Sequence, residues 1–252
     1  MAKAALLRDI EDLMIVDREI PQIHAGEILI RVKSCAICGT DIKVFHHGHK
    51  HIVFPRITGH EISGVIEKIG PEVKKFNVGN NVTIAPAIPC GECYYCRQGW
   101  QSMCDNLKTI GYQFDGGFAE YMIVPDVAVS NGCVNLIPEG LNFDQAALTE
   151  PLACVINGQQ LSKTEMGDVV LIIGAGPIGC LHAELAKNIG ASKVILADVE
   201  QNRLDMAGFT GAITVNSQQT DLKKFIVEHT DGRMADRVIV AVGASNAQEQ
   251  AL

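Results

Sequence analysis

The chain has 252 residues, 47% hydrophobic and 20% charged, which excludes wholesale disorder and, at roughly 150 residues per domain, points to one large or two modest domains. Its 21 basic and 29 acidic residues leave a formal charge of −8, against nucleic acid or an anionic membrane as a general partner. No stretch approaches the ~18 uninterrupted apolar residues that span a bilayer, and the N-terminus lacks a cleavable pattern, so the expectation is a cytoplasmic chain.

The first half reads as short strands punctuated by Gly and Pro. Residues 28–32 (ILIRV), 64–69 (GVIEKI), 81–85 (NVTIA) and 118–124 (FAEYMIV) carry the apolar, β-branched patterning, and their spacing predicts a barrel-like β unit. The texture changes near residue 160. Residues 169–173 (VVLII) form a continuous apolar run, as a strand covered on both faces requires. A helical pattern follows over 178–189, stopped by Gly190, then a strand at 194–197, a helix containing 203–207, and a strand at 212–215. A helix face at Leu222, Phe225 and Ile226, a strand at 237–242 and a capping-box pattern at 245–248 (SNAQ) complete the series. Strand–helix alternation of this kind means βαβ units and a parallel sheet. The boundaries predicted are 1–155 for the β-rich unit and 156–252 for the α/β unit. The last element reads as cut short, as in a piece of a longer chain.

Three groups of residues carry chemistry. Cys90, Cys93, Cys96 and Cys104 crowd into fifteen positions. Four thiolates at that spacing suit one tetrahedral ion with no open position, hence structural zinc; an iron–sulfur cluster and plain free thiols are the alternatives. Cys35, Cys133, Cys154 and Cys180 sit in apolar or small-residue company and read as buried thiols. The second group is dispersed: Cys38-Gly39-Thr40-Asp41, Gly59-His60-Glu61 and Thr149-Glu150-Pro151. Each is weak alone, but thiolate, imidazole and carboxylate together suit a mixed site with a position left for substrate. The third is Gly174-Ala175-Gly176-Pro177-Ile178-Gly179, after a predicted strand and opening a predicted helix, with Asp198 at the end of the next strand. This is the dinucleotide fingerprint, with a pyrophosphate on the helix N-terminus. A carboxylate at Asp198 accepts from ribose hydroxyls and repels a 2′-phosphate, favouring NAD over NADP, with Arg203 placed to flank the ribose or adenine.

With these groups in one order, the chain resembles the zinc-dependent medium-chain dehydrogenases over essentially its whole length. Gly59-His60-Glu61-x-x-Gly64-x5-Gly70-x-x-Val73 is similar to that family's zinc signature, and Glu150-Pro151-Leu152 to its polyol (sorbitol) dehydrogenase-like branch. The resemblance implies a GroES-like β-rich catalytic domain followed by a Rossmann domain incomplete at its C-terminal side. It implies a catalytic zinc on Cys38, His60 and either Glu61 or Glu150, a structural zinc on the four-cysteine lobe, and NAD on the glycine loop. Asp41 then orients His60 and Thr40 takes the substrate's hydroxyl proton. Lys43 stands where some members carry a relay histidine, leaving water, Lys43 or a histidine of the 46–51 cluster (HHGHKH) for proton exit. That cluster reads first as a mobile polar loop, with metal binding or contact with an acidic substrate as the sharper alternative. The implied activity is hydride transfer from a secondary alcohol of polyol or sugar type to NAD; L-threonine 3-dehydrogenase-like, sugar-phosphate and non-catalytic readings stay open. A homodimer or homotetramer is implied for the full-length protein, and poor turnover for a polypeptide ending at Leu252.

Overall fold

A computed structural model describes residues 1–251, with the side chains of Ser245, Asn246 and Gln250 left aside. The chain divides into two compact units, Met1–Glu150 and Pro151–Leu252.

The first unit is strand-rich. In chain order it holds β1 (Ala2–Asp9), β2 (Asp12–Arg18), β3 (Ile28–Ala36), helix α1 (Gly39–His47), β4 (Arg56–Ile57), β5 (Glu61–Ile69) and β6 (Asn81–Ile84). Then come β7 (Ala87–Ile88), α2 (Tyr94–Arg97), β8 (Lys108–Thr109), β9 (Tyr121–Val124), α3 (Asp126–Ser130), β10 (Val134–Leu136) and α4 (Phe143–Ala147). A five-stranded sheet runs β10-β6-β5-β3-β9, and a three-stranded one runs β2-β1-β4. Ile28, Ile30, Ile62, Ile66, Val82, Ile84, Met122 and Val124 form one core of fully buried side chains. At roughly 1.5–3 kcal/mol per buried aliphatic side chain, that core dominates the unit's stability. Helix α4 closes over the sheet: Ser63 Oγ donates to Phe143 O (2.7 Å), and Thr83 Oγ1 to Ala146 O (3.1 Å).

Strand register positions the chemistry. β3 and β5 pair antiparallel from Ile28↔Ile69 to Ala36↔Glu61, with irregularities between Leu29 and Ile30 and between Val32 and Ser34. The chain leaves β3 two residues before Cys38 and enters β5 one residue after His60, so both lie just beyond the same end of one strand pair.

The second unit alternates. Helix α5 (Thr149–Leu161) leads into β11 (Val169–Ile173), α6 (Pro177–Ile189), β12 (Lys193–Asp198), α7 (Gln201–Met206), β13 (Ile213–Asn216), α8 (Leu222–His229), β14 (Arg237–Val240) and α9 (Ser245–Gln250). The sheet order is β13-β12-β11-β14, all parallel. Every residue of β11 is buried, consistent with cover on both faces. The capping pattern expected at 245–248 lies outside the described side chains.

Three readings are corrected. Residues 39–47 are helical where the sequence offered only a strand-rich stretch; their inward side consists of Asp41 and Val44, too little apolar periodicity to signal a helix. The 46–51 cluster is therefore not wholly a loop, since His46 and His47 form the last turn of α1. Cys154 is exposed, because the buried stripe of α5 is Pro151, Val155 and Gln159 and Cys154 lies off it.

Candidate functional site

Cys38 caps α1, and its amide N–H donates to Asp41 Oδ2 at 2.9 Å. Asp41 Oδ1 lies 3.6 Å from His60 Nδ1, with both side chains nearly buried. One carboxylate thus holds the turn carrying the thiol and one face of the imidazole. Metal-bound imidazoles are usually oriented in this way. Ligand atoms of Cys38, His60 and Glu61 all lie within 4.8 Å of one another. Burial works against charge on His60, but the hydrogen bonds and charges of Asp41 and Cys38 outweigh it, lifting the imidazole to about 10. Cys38 is held below the usual thiol range, chiefly by its hydrogen bond with His60, with Thr40 adding to it. Burial pushes the Glu61 carboxyl up; His60 opposes this, while the charges of Glu150 and Asp41 add to it. The trio fits a divalent cation: a soft thiolate, an imidazole nitrogen and a carboxylate gather in one partly buried spot. Glu61 is the carboxylate that converges with Cys38 and His60, and Glu150, in the first turn of α5, is near enough for the two to repel.

The second cluster is the lobe around α2. The four sulfurs of Cys90, Cys93, Cys96 and Cys104 also lie within 4.8 Å of one another, and all four thiols are free. Cys90 Sγ and Cys96 Sγ are 4.0 Å apart, near the ~3.8 Å edge of a tetrahedron with metal–sulfur bonds of about 2.3 Å. Main-chain N–H groups point at the sulfurs: Cys90 N donates to Cys104 Sγ (3.2 Å) and Cys93 N to Cys90 Sγ (3.4 Å). Donors from Cys96 and Asp105 bring Cys93 down to about 6, whereas burial pushes Cys96 up to about 12. Amides aimed at sulfur stabilise thiolate, the form in which sulfur binds metal.

In the second unit the glycine loop joins β11 to α6. Gly174 has φ +114°, a conformation only glycine adopts readily, and its N–H donates to Ala197 O at 2.7 Å. Gly179 packs so closely that a Cβ there would lie 1.7 Å from Gly174 O. Gly176, the N-cap of α6, differs: its φ of −75° suits any residue, and a Cβ would meet no protein atom within 4 Å. Pro177 follows at the first helical position; it and Ile178 are exposed. Asp198 is buried, with Oδ2 accepting from Ala175 N (2.7 Å) and Oδ1 from Glu200 N (2.9 Å); Arg203 Nη1 is 3.9 Å from Oδ2. Open space over Gly176 at a 13-residue helix's N-terminus suits a dinucleotide pyrophosphate.

Residues 24–136 match the alcohol dehydrogenase GroES-like domain family, and residues 177–252 the zinc-binding dehydrogenase family. The chain is 36% identical to the L-threonine 3-dehydrogenase of Pyrococcus horikoshii over 94% of its own length and 68% of that protein's. The chain belongs to the zinc-binding medium-chain dehydrogenases. It is also 35% identical to the D-arabitol-phosphate dehydrogenase of Enterococcus avium, over 93% of this chain and 66% of that one. The solved zinc-binding dehydrogenase of Sinorhizobium meliloti, bound to NADP, superposes with a TM-score of 0.92 at 33% identity, covering all of this chain and 72% of the other. The chain thus spans about two thirds of the curated relatives' length. Among the described residues no helix is long and apolar enough to cross a membrane.

Of the dehydrogenase residues named from sequence, the structure gathers Cys38, His60, Glu61 and Asp41, and separately the four cysteines. Thr40 is half-buried on the first turn of α1, beside Cys38, while Lys43 is exposed one turn on. Tyr112 was missed. Gly111 packs its backbone on Gly59 (a Cβ would lie 3.3 Å from Gly59 O), which sets Tyr112 beside the trio. Burial and the charges of Asp41 and Cys38 push its phenol up. The glycines of residues 111–117 were the available signal.

Proposed function

We propose that the chain takes part in the NAD-dependent oxidation of a secondary alcohol of polyol or sugar type, with one catalytic and one structural zinc. The observation that carries this reading is the convergence of Cys38, His60 and Glu61 within 4.8 Å, backed by Asp41 and occurring in a chain that also holds a dinucleotide loop. Cys38, His60 and a carboxylate, Glu61 or Glu150, would hold the ion. When bound there, zinc supplies a Lewis acid that makes a hydroxyl more acidic.

The chain's own residues do the rest. Asp41 engages His60 Nδ1, which leaves Nε2 to face the ligand position. Thr40 has a hydroxyl beside Cys38 that would accept the substrate proton as it releases its own to water, with Lys43, one helical turn on and in solvent, near that exit. The α6 N-terminus would hold the pyrophosphate, and Asp198, with lone pairs remaining beyond its two backbone bonds, would accept from ribose hydroxyls and disfavour a 2′-phosphate. NAD bound there would supply the hydride acceptor. The four cysteines leave no position for substrate and hold the 90–104 lobe in shape.

The test is metal content by mass spectrometry, NADH binding by fluorescence, and NAD reduction screened over polyols, polyol phosphates, sugar acids and L-threonine. Two zinc ions per chain and NAD reduction with a polyol-type alcohol are expected. NADH binding with no zinc beyond the cysteine lobe would overturn the reading.

A further inference from the structure

Residues 43–51 read KVFHHGHKH, two lysines and four histidines with no acid, in a chain of net charge −8. His46 is already engaged, its Nδ1 lying 2.8 Å from Glu11 Oε1 at the surface. His49 and His51 are placed otherwise. The His49 ring lies 4.7 Å from that of Tyr112, and the His51 ring 5.3 Å from that of His49. The segment is held: Ile52 N donates to His49 O (2.9 Å), and Ile52 is buried against Val44 and Leu7 with Tyr112 packed on the same cluster. His51 N donates to His49 Nδ1 at 3.4 Å, which makes Nδ1 the acceptor and leaves the ring proton on Nε2 as a donor. Neither ring donates to a protein acceptor among the described residues. Tyr112 in turn sits on the Gly59–His60 turn through Gly111. From the trio the order is therefore Tyr112, His49, His51, each ring against the next and the last two exposed.

We propose that His49 and His51, backed by Tyr112, form an anion-binding lip that takes the terminal phosphate or carboxylate of the hydroxyl substrate oxidised at the Cys38–His60–Glu61 site. This rests on the hydride-transfer reading above and adds the substrate's second recognition point. Imidazole N–H groups and the ammonium of Lys50 form charge-assisted hydrogen bonds to such a group. A neutral polyol leaves those donors to water, so the lip acts on selectivity.

The experiment compares kcat/KM for three five-carbon substrates, a polyol, its terminal phosphate and the corresponding sugar acid, in the wild type and in His49→Leu and His51→Leu. It also follows the histidine ring NMR signals on titration with inorganic phosphate and with acetate. The wild type should favour one of the anionic substrates over the polyol by at least tenfold, and each substitution should cut that ratio severalfold. Phosphate or acetate should shift the His49 and His51 signals at millimolar concentration, and the stronger of the two identifies the group. Turnover with a selectivity ratio unmoved by either substitution refutes the lip and leaves the hydride reading standing. Ring signals that respond in a protein that holds no zinc beyond the cysteine lobe and reduces NAD with none of the three leave the anion contact standing and remove the hydride reading. Unresponsive rings refute the lip whatever the turnover.

Discussion

Gly176 and Gly179 belong to one motif, yet the structure assigns their smallness to different causes, and two alanine substitutions separate them. At Gly179 a Cβ would lie 1.7 Å from Gly174 O and 2.9 Å from Gly174 C. Real Cβ atoms stay beyond about 3.0 Å, so the first turn of α6 would have to retreat by roughly 1.3 Å from the loop, against a fully buried strand. Overpacking of a rigid backbone contact costs about 1–3 kcal/mol. In a unit of about 100 residues, each kcal/mol is worth about 4–8 °C, so Gly179→Ala should lower the melting of the second unit by roughly 5–20 °C. At Gly176 the added methyl meets no protein and the backbone is already ordinary. Losing glycine at an N-cap costs some tenths of a kcal/mol, and the reduced freedom of the unfolded chain returns about 0.4–1. Gly176→Ala should therefore melt within about 3 °C of wild type. Its methyl projects instead where the pyrophosphate approaches, and NADH affinity should fall at least tenfold. Calorimetric melting paired with isothermal titration of NADH reads both quantities. A Gly176→Ala protein that melts and binds like wild type would show that the open space is not the nucleotide's, and an unshifted melt for Gly179→Ala would undo the packing argument.

Four further outcomes are expected. Cys38→Ser should lose one of two zinc ions and all NAD reduction while keeping its far-ultraviolet circular dichroism; retention of both ions would count against the trio. Asp198→Ala strands the N–H groups of Ala175 and Glu200, at about 1–3 kcal/mol per unpaired buried donor, so it should both lower the second unit's melting and reduce the NAD-over-NADP affinity ratio at least tenfold; a lower melt with that ratio intact would make Asp198 structural alone. Burial holds the His182 imidazole below its ordinary value, so the unfolded chain binds the extra proton first and stability is lost as pH falls through about 6.5; His182→Leu should flatten that loss between pH 7.5 and 5.5, and parallel curves for the two proteins would dismiss it. Gly116→Ala places a Cβ 2.2 Å from Gly59 O and should deplete the zinc at Cys38–His60 while sparing the cysteine lobe, as cobalt-substitution spectra would report.

What the sequence disclosed follows how local each signal is. The four cysteines close on one another within fifteen residues, and the glycine loop carries its own strand before it and helix after it. Strands were visible at 28–32, 64–69 and 169–173, where side chains alternate or are uniformly apolar, while the further residues of β3 (to Ala36) and the start of β5 (from Glu61) were not. The meeting of Cys38 with His60 was legible only by resemblance, because it depends on the Ala36↔Glu61 register of a strand pair with two irregularities, and register is a long-range property. Helix α1 was hidden by its one buried aliphatic residue. One contact of Asp198 was not legible: its buried carboxylate ties Ala175 of the glycine loop to the end of β12, which no pattern in either segment announces.

That dependence on distant backbone explains the glycines behind the trio. Gly59 has φ +90°, and a Cβ there would lie 2.8 Å from the Phe118 ring and 2.9 Å from Cys35 Sγ. The segment carrying Phe118 is bonded to the same turn: Gly116 N donates to Ile57 O (2.8 Å), Gly117 N to Gly59 O (2.9 Å) and Phe118 N to Thr58 O (3.0 Å). Three consecutive main-chain donors thus fix the peptide groups leading into His60, and side chains at positions 59 or 116 would wedge the two backbones apart. An imidazole that is to share an ion with the thiol at the N-cap of α1 would tolerate little displacement, since ligand distances must hold within about 0.2 Å. Backbone-on-backbone packing provides that rigidity with no rotamer left to relax, which is why glycine, otherwise costly in a folded chain, is placed directly before His60 and across from it.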